Sequence, residues 1–319
     1  MRDVLTVTLN PALDLSTMVD EVRPGPKLRC APPLTDPGGG GTNVSRAIRF
    51  LGGSSRALVA AGGATGERLL DLLAEAGIGT LALAAPGETR QSLSVTDRGT
   101  GEQYRFVLPG PVWGPADVGQ ALGAIAGAAR DIVVLSGSQP PGVPEDFPLR
   151  LARRLAGRSG GRVRLIVDTS GGPLRALAAA GRGPAPWVLR MDGEEAEELA
   201  GRPLPSDDEA ARFAAGLVDR GVAEVVILAR GGDGAVLAAP GLRLHAASAP
   251  VKVVSKVGAG DSFVGALTLA LARDEGLEMA LRKGNAAASA AVMTEATRLC
   301  RREDAEALLA ACVARRLPD

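Results

Sequence analysis

The chain has 319 residues, 46% of them hydrophobic and only 3% aromatic, enough aliphatic material for a large core in one big α/β domain or two smaller ones. Lysine plus arginine and aspartate plus glutamate both number 36, which excludes a net field pulling the molecule toward nucleic acid or an anionic membrane. Any anion it binds has to be held by local groups.

In chain order, the opening MRDVLTVTLN places an acid and threonines where a signal peptide needs an unbroken apolar stretch, and no later apolar run approaches the ~18 residues of a membrane span, so a cytoplasmic location is expected. Short aliphatic runs then alternate with Ala/Leu/Arg-rich stretches of helical period. Val4–Leu9, Leu58–Ala61, Ile132–Ser136, Val163–Asp168, Trp187–Leu189 and Val225–Leu228 are expected to be buried strands. Thr42–Leu51, Glu67–Ala76, Val118–Ala129, Glu209–Arg220, Asp261–Arg273 and Leu277–Thr294 are expected to be helices. Most connections carry Gly or Pro, and the alternation predicts a mostly parallel sheet with helices on both faces and ligands at the carboxyl ends of its strands. One domain over 1–319 is expected, with an appendage.

Two stretches break the alternation. Leu15–Leu34 and Ser92–Leu108 have the character of a β excursion, the second with period-2 alternation around Arg98-Gly99-Thr100-Gly101, as in a hairpin. Segments of about 15–35 and 88–108 are therefore expected to form a small β-sheet lid or a dimerisation surface, and the pattern does not separate the two. Cys30, Cys300 and Cys312 are odd in number and far apart, which points to buried free thiols and away from a disulfide framework or zinc site. His245 is the only histidine, so a base must be sought among carboxylates.

The strongest local pattern is Val257-Gly258-Ala259-Gly260-Asp261 ahead of an apolar helical run. Glycines just before a helix let backbone N–H groups close on a phosphate, and the helix dipole favours the anion. A carboxylate there can take the proton of an attacking hydroxyl while Gly258, Ala259 and Gly260 form the anion hole. The plainer role for Asp261 is a helix N-cap. A second cluster, Gly38 to Gly41 with Thr42 and Asn43, opens another helix; it fits no GxGxxG frame and the chain has no GxxxxGK[ST], which argues against dinucleotide-binding and P-loop folds. Asn43 can bind sugar hydroxyls beside Gly39 and Gly40. Asp14, Lys27, Arg29 and Arg90 suit a sugar that carries a phosphate of its own, the acid for hydroxyls and the cations for the anion, although each alone reads as a surface charge.

Taken together, TLNPALD, GGGGTNVSRAI, AAGGATGE, LSGSQPPGV, VDTSG and VGAGDSF resemble the PfkB, or ribokinase-like, family of carbohydrate kinases over essentially the whole chain. KLRCAPPLTDPGGGGTNV, TRQ, GEQYRFVLPG and TRLC look like its 6-phosphofructokinase branch. The resemblance implies a three-layer α/β/α domain with a β-sheet lid that also clasps a second subunit, hence a homodimer. It implies transfer of phosphate from ATP with Mg²⁺ to a ketohexose phosphate, foremost fructose 6-phosphate. Close alternatives are a 1-phosphofructokinase or tagatose-6-phosphate kinase, or a sugar-phosphate-binding protein with weakened kinase activity. Carried over by motif, Asp261 is the base, and Asp14, Lys27, Arg29, Gly39, Gly40, Asn43, Arg90, Arg105 and Ser138 serve the sugar phosphate. Arg190, Asp192, Gly231, Gly234, Lys256, Gly258 and Gly260 serve the nucleotide, Asp192 and Glu195 the Mg²⁺ indirectly, and Ser255, Val257 and the stretch Ala291–Arg298 a K⁺ ion.

The departures from the family pattern gather on the nucleotide side. The family's Lys-Pro-Asn-x-x-Glu is Arg190-Met191-Asp192-Gly193-Glu194-Glu195 here, its Ser/Thr-x-Gly is Ala229-Arg230-Gly231, and Lys256 stands where Thr is usual. An acceptor-only carboxylate replaces an amide, and a hydroxyl is lost.

Overall fold

A computed structural model describes residues 1–157, 163–295 and 298–318. The first half of the chain runs β1 (Val4–Thr8), β2 (Ala12–Val19), β3 (Leu34–Gly38), α1 (Gly40–Phe50), β4 (Arg56–Ala61), α2 (Gly63–Glu75), β5 (Gly79–Ala84), β6 (Arg90–Asp97), β7 (Gln103–Val107), α3 (Pro115–Ala128), β8 (Ile132–Ser136) and α4 (Phe147–Ala156). The second half continues through β9 (Arg164–Asp168), α5 (Gly171–Ala179), β10 (Val188–Asp192), α6 (Gly193–Ala200), α7 (Asp207–Asp219), β11 (Val225–Ala229), β12 (Ala235–Ala239), β13 (Leu242–Ala246), α8 (Ala259–Ala272), α9 (Leu277–Val292), α10 (Arg302–Leu308) and β14 (Ala314–Arg316).

Ten strands form one sheet in the order β14-β13-β12-β11-β10-β9-β8-β1-β4-β5, parallel from β11 to β5 and antiparallel across β12, β13 and β14. The central strands are apolar on both faces because both faces are covered. Leu5 and Val7, Val133 and Leu135, Leu165 and Val167 point into one core beneath α3 to α7. Their neighbours Val4, Ile132, Val134 and Ile166 point the other way, under α1, α8 and α9. This period-2 division sends alternate residues of the apolar strands to cores on opposite faces of the sheet.

Close helix packing fixes the end of α8 at the site. A Cβ on Gly265 would lie 2.7 Å from the Ala47 Cβ of α1, and one on Gly284 of α9 would lie 2.8 Å from the Phe263 ring. Glycine at both positions lets α8 sit between its neighbours at backbone distance, with Phe263 2% exposed.

The remaining four strands form a second sheet, β3-β2-β6-β7. The hairpin expected around Arg98–Gly101 is β6–β7, paired antiparallel from Ser92↔Val107 to Thr96↔Gln103. The first excursion is narrower in β structure than expected: residues 20–33 carry no strand, whereas β2 begins at Ala12 and β3 runs on to Gly38. β5, β12, β13 and β14 were not expected, because Gly, Ala and Arg are frequent in them and blur the strand pattern; short α4, α5, α6 and α10 were not expected either. Cys300 and Cys312 are buried as expected, but Cys30 is exposed, since it sits on the strandless 20–33 segment outside every core cluster. Among the described residues no helix is long and apolar enough to cross a membrane.

Candidate active site

Four parallel strands, β8 to β11, end side by side, and three of them deliver polar residues to one edge. Cross-strand register sets Ser136 of β8 beside Asp168 of β9, Asp168 beside Arg190 of β10, and Asp192 beside Ala229 of β11. Ser136 Oγ donates to Asp168 Oδ2 (2.9 Å), and Arg190 Nη1 donates to Asp168 Oδ1 (3.0 Å). The Arg190 and Asp168 side chains are each 13% exposed. Burial works against the Arg190 charge, but Asp168, helped by Glu195 and Asp192, outweighs it and holds the guanidinium above its ordinary pKa.

Two helices aim their N-termini at this edge. Gly258, with φ 77°, is the N-cap of α8, so Asp261 is its third residue and not its cap. The capping role is thus taken by a glycine that can adopt the left-handed conformation. The Asp261 carboxylate instead accepts from Asn43 Nδ2 of α1 (2.9 Å). Burial and then the Asp168 charge push Asp261 up to about 7, against the Asn43 hydrogen bond and the Arg190 charge, which pull it down. A Cβ built on Gly260 would sit 3.4 Å from both Nη1 and Nη2 of Arg190, so the guanidinium lies against the glycine turn at the head of α8. A permanent cation, a helix N-terminus and a carboxylate near neutrality therefore share one spot.

The glycine run before α1 serves close approach. A Cβ on Gly40 would be 2.5 Å from Ser136 Oγ and 2.6 Å from the Gly137 nitrogen, and one on Gly41 would be 2.4 Å from the Val7 carbonyl oxygen. Gly39, at φ 110°, also needs the freedom only glycine has. From α1, Arg46 reaches across to donate to Asn43 Oδ1 (3.2 Å), the Pro37 carbonyl (3.2 Å) and Asp36 (3.4 Å).

The small sheet closes the other side. Asp14 of β2 is pushed up to about 6 by burial, against the pull of Arg90 of β6, Ser92, Arg105 of β7 and Arg46. Arg90 donates to the Asn10 carbonyl through Nε (3.3 Å) and Nη2 (3.2 Å) and to the Leu108 carbonyl through Nη1 (3.4 Å). Asn10 Nδ2 in turn donates to Ser138 Oγ (3.1 Å), which ties Ser138 to the same cluster.

The fold thus links Asp14, Gly39, Gly40, Asn43, Arg90, Arg105, Ser138, Arg190, Asp261 and the Gly258–Gly260 turn in one network of contacts and charges. Asp192 and Glu195 are beside it but engaged with each other: Asp192 caps α6, accepting from the Glu195 nitrogen (2.9 Å), and Glu195 Oε2 accepts from the Asp192 nitrogen (2.8 Å). Gly231 and Gly234 turn the chain at the end of β11. Lys27 and Arg29 stand apart on the exposed 20–33 segment, and Lys256 is exposed just before the glycine turn. Ser255 Oγ accepts from the Val257 nitrogen (3.2 Å), and the Arg298 carbonyl accepts from Thr294 Oγ1. Ala296 and Thr297, within the stretch expected to hold K⁺, lie outside the described residues.

Asp168, Ser136, Asn10 and Arg46 belong to the cleft and were not expected in it. Asp168 had a signal: a lone acid ending an otherwise apolar strand in VDTSG. Arg46 had none, since at helical spacing an arginine reads as a solvated face.

The pfkB family carbohydrate kinase pattern matches residues 6–304. The chain is 43% identical over 305 residues to the ATP-dependent 6-phosphofructokinase isozyme 2 of Mycobacterium tuberculosis, covering 95% of this chain and 88% of that protein. To the enzyme of the same name from Escherichia coli it is 40% identical over 314 residues, covering 97% and 99%. The crystal structure of E. coli phosphofructokinase-2 in complex with potassium superposes with a TM-score of 0.91 at 39% identity, over 98% of this chain and 99% of that one. The same enzyme in complex with fructose-6-phosphate gives a TM-score of 0.88 at 38% identity over the same shares. Ribokinase from Thermotoga maritima, at 21% identity and a TM-score of 0.75 over 97% and 100%, shares the fold. A carboxylate near neutrality at the N-terminus of α8, facing a polar sheet edge across a full-length family match, leads to one conclusion: the chain belongs to the pfkB family of carbohydrate kinases.

Proposed function

We propose that the protein transfers the γ-phosphoryl group of ATP to O1 of fructose 6-phosphate, giving ADP and fructose 1,6-bisphosphate. The observation that carries this reading is the pairing of Asp261, poised near pH 7 at the head of α8, with the Asp14, Arg90 and Arg105 cluster of the small sheet in the same cleft. Asp14 and Asn43 bind sugar hydroxyls, and Arg90 with Arg105 holds the 6-phosphate, a group that only a phosphosugar needs. Asp261 takes the proton from the C1 hydroxyl as its oxygen bonds to the γ-phosphorus and the β–γ bridging oxygen leaves with its electron pair on ADP. The Gly258–Gly260 amides and Arg190 face the charge spreading over the transferred group. The relatives named as 1-phosphofructokinases are less similar, at 33% and 31% identity, which favours the 6-phosphate acceptor.

A divalent metal fits this site as Mg²⁺ fits most kinases, with phosphates and waters supplying most ligands and one or two carboxylates the rest. Among the described residues no group of three or more His, Cys, Asp or Glu forms a cage. Asp192 and Glu195 would hold it at the nucleotide side, each keeping acceptor capacity beyond its bond in the capping box. Bound there, Mg²⁺ neutralises phosphate charge. A potassium ion, found with the E. coli relative, is assigned to oxygens of Ser255, Val257 and Arg298, where Lys256 offers a competing cation.

The exposed apolar residues of the small sheet support its role as a clasp between two copies. Leu34, Leu93, Phe106 and Val107 are 62%, 37%, 54% and 60% exposed, a run that a lone subunit would leave in water. Lys27 and Arg29, on the exposed segment between β2 and β3, are assigned to the sugar phosphate by family motif.

An ADP-release assay with fructose 6-phosphate, fructose 1-phosphate, tagatose 6-phosphate and unphosphorylated sugars, with and without K⁺, tests the assignment. Fructose 6-phosphate is expected to give the highest kcat/KM. Activity on none of them, with a thermal shift from a sugar phosphate alone, would establish a binding protein in place of a kinase.

A further inference from the structure

The family's hydroxyl contact to nucleotide is lost at Ala229, yet the turn that follows is held from several sides. Arg230 donates its backbone N–H to the Gly234 carbonyl (2.7 Å), and a Cβ on Gly234, at φ 100°, would fall 2.1 Å from the Ala246 carbonyl oxygen. Ser248 Oγ donates to the Gly231 carbonyl (2.9 Å). His245 Nε2 lies 2.8 Å from the Asp233 carbonyl, which can only accept, so Nε2 carries the proton. Arg230 donates to the Leu204 carbonyl (2.8 Å) and the Pro205 carbonyl (3.0 Å). At the centre sits Asp207, in the first turn of α7: Arg230 Nε is 3.2 Å from its Oδ1, and Arg315 Nη2 and His245 Nε2 are 2.8 and 3.5 Å from its Oδ2. The Arg230 and His245 side chains are 12% and 11% exposed, whereas Gly231 and Gly232 stand exposed at the rim.

We propose that His245 and Asp207 are positioning residues for the nucleotide. They lock the Arg230–Gly234 turn so that its backbone, in place of a side-chain hydroxyl, receives ATP. A backbone contact discriminates only when its geometry is fixed before the ligand arrives, because ordering a loop on binding consumes affinity. Here β13 and β14 join the turn's own Arg230 on the one carboxylate that α7 supplies, and His245 also contacts the turn directly at the Asp233 carbonyl. The inference rests on the reading that ATP occupies the end of β11.

The test uses ADP binding by calorimetry alongside steady-state kinetics. His245→Leu should weaken ADP binding and raise the ATP KM about tenfold, the loss of one buried hydrogen bond, with the fructose 6-phosphate KM and kcat held within about twofold. His245→Gln, whose amide N–H can reach the same carbonyl, should return both values to within about twofold of the parent. Should His245→Leu not fold, Asp207→Asn, in the partly exposed first turn of α7, is expected to raise the ATP KM about threefold. Unchanged ADP affinity in a folded variant, or a parallel rise in both KM values, overturns the positioning role alone. A parent protein that binds no ADP overturns the kinase reading with it.

Discussion

Replacing Asp261 with Asn should slow turnover sharply and stabilise the protein at the same time. The substituted amide keeps an oxygen to accept the Asn43 N–H, so the local geometry is retained. What disappears is a buried charge. In the folded protein the carboxyl titrates at about 7 against an ordinary 3.8, so the native state binds its proton more tightly than the unfolded chain. Stability is then full below the unfolded value, falls as pH rises through the interval, and is lowest above pH 7. The full difference is worth roughly 4 kcal/mol at 1.36 kcal/mol per unit. Because Asp261 is only partly buried by its surface area, half of this, about 2 kcal/mol, is expected. A chain of 319 residues unfolds with roughly 0.7 kcal/mol/K of entropy, so Asp261→Asn should raise Tm by about 3 °C at pH 8 and by little at pH 4.5. kcat should fall about 10³-fold, within the range for loss of a general base. The parent enzyme should lose activity tenfold per pH unit below about 7, where Asp261 is protonated. Calorimetric melting at the two pH values and a pH–rate profile decide the matter. A lower Tm at pH 8, or a rate flat through pH 7, would refute both the burial argument and the base assignment.

Arg90→Ala should raise the fructose 6-phosphate KM about a hundredfold while kcat changes less than about threefold, as expected when one charge-assisted phosphate contact is removed; an unchanged KM removes it from the phosphate clamp. Asp192→Asn should leave Tm within about 1 °C, since Asn caps helices as well as Asp, and should move the ATP KM or the Mg²⁺ optimum more than the sugar KM. The reverse pattern in those kinetics would place Asp192 on the acceptor side. Phe106→Asp, on the exposed face of β7, should shift the protein from dimer to monomer in sedimentation while Tm of the subunit changes by less than about 2 °C; a dimer that persists would locate the clasp elsewhere.

Much of this molecule was legible in its order of residues. The short apolar runs at Ile132 and Val225 pointed to strands buried on both faces, and the glycine turn before Asp261 pointed to the start of a helix. Periodicity and turn chemistry act over a few residues, so a linear reading finds them. It also singled out Asp14, Asn43 and Arg90, the residues proposed for the sugar phosphate, but as members of separate motifs. Only the tertiary structure set Asn43 and Asp14 near Asp261 and Arg90 near Asp14, and only it recruited Asp168 and Arg46. Their partners Arg190 and Ser136 for one, and Asp36 for the other, come from other elements of the fold. It likewise turned His245, a histidine without motif or neighbour of note, into a contact of the Arg230–Gly234 turn. The pKa of Asp261 belongs to the same class, for it depends on burial and on charges brought from β9 and β10. Local sequence dictates where a chain can turn, coil or extend, while the chemistry of a buried charge is set by whatever the fold packs around it.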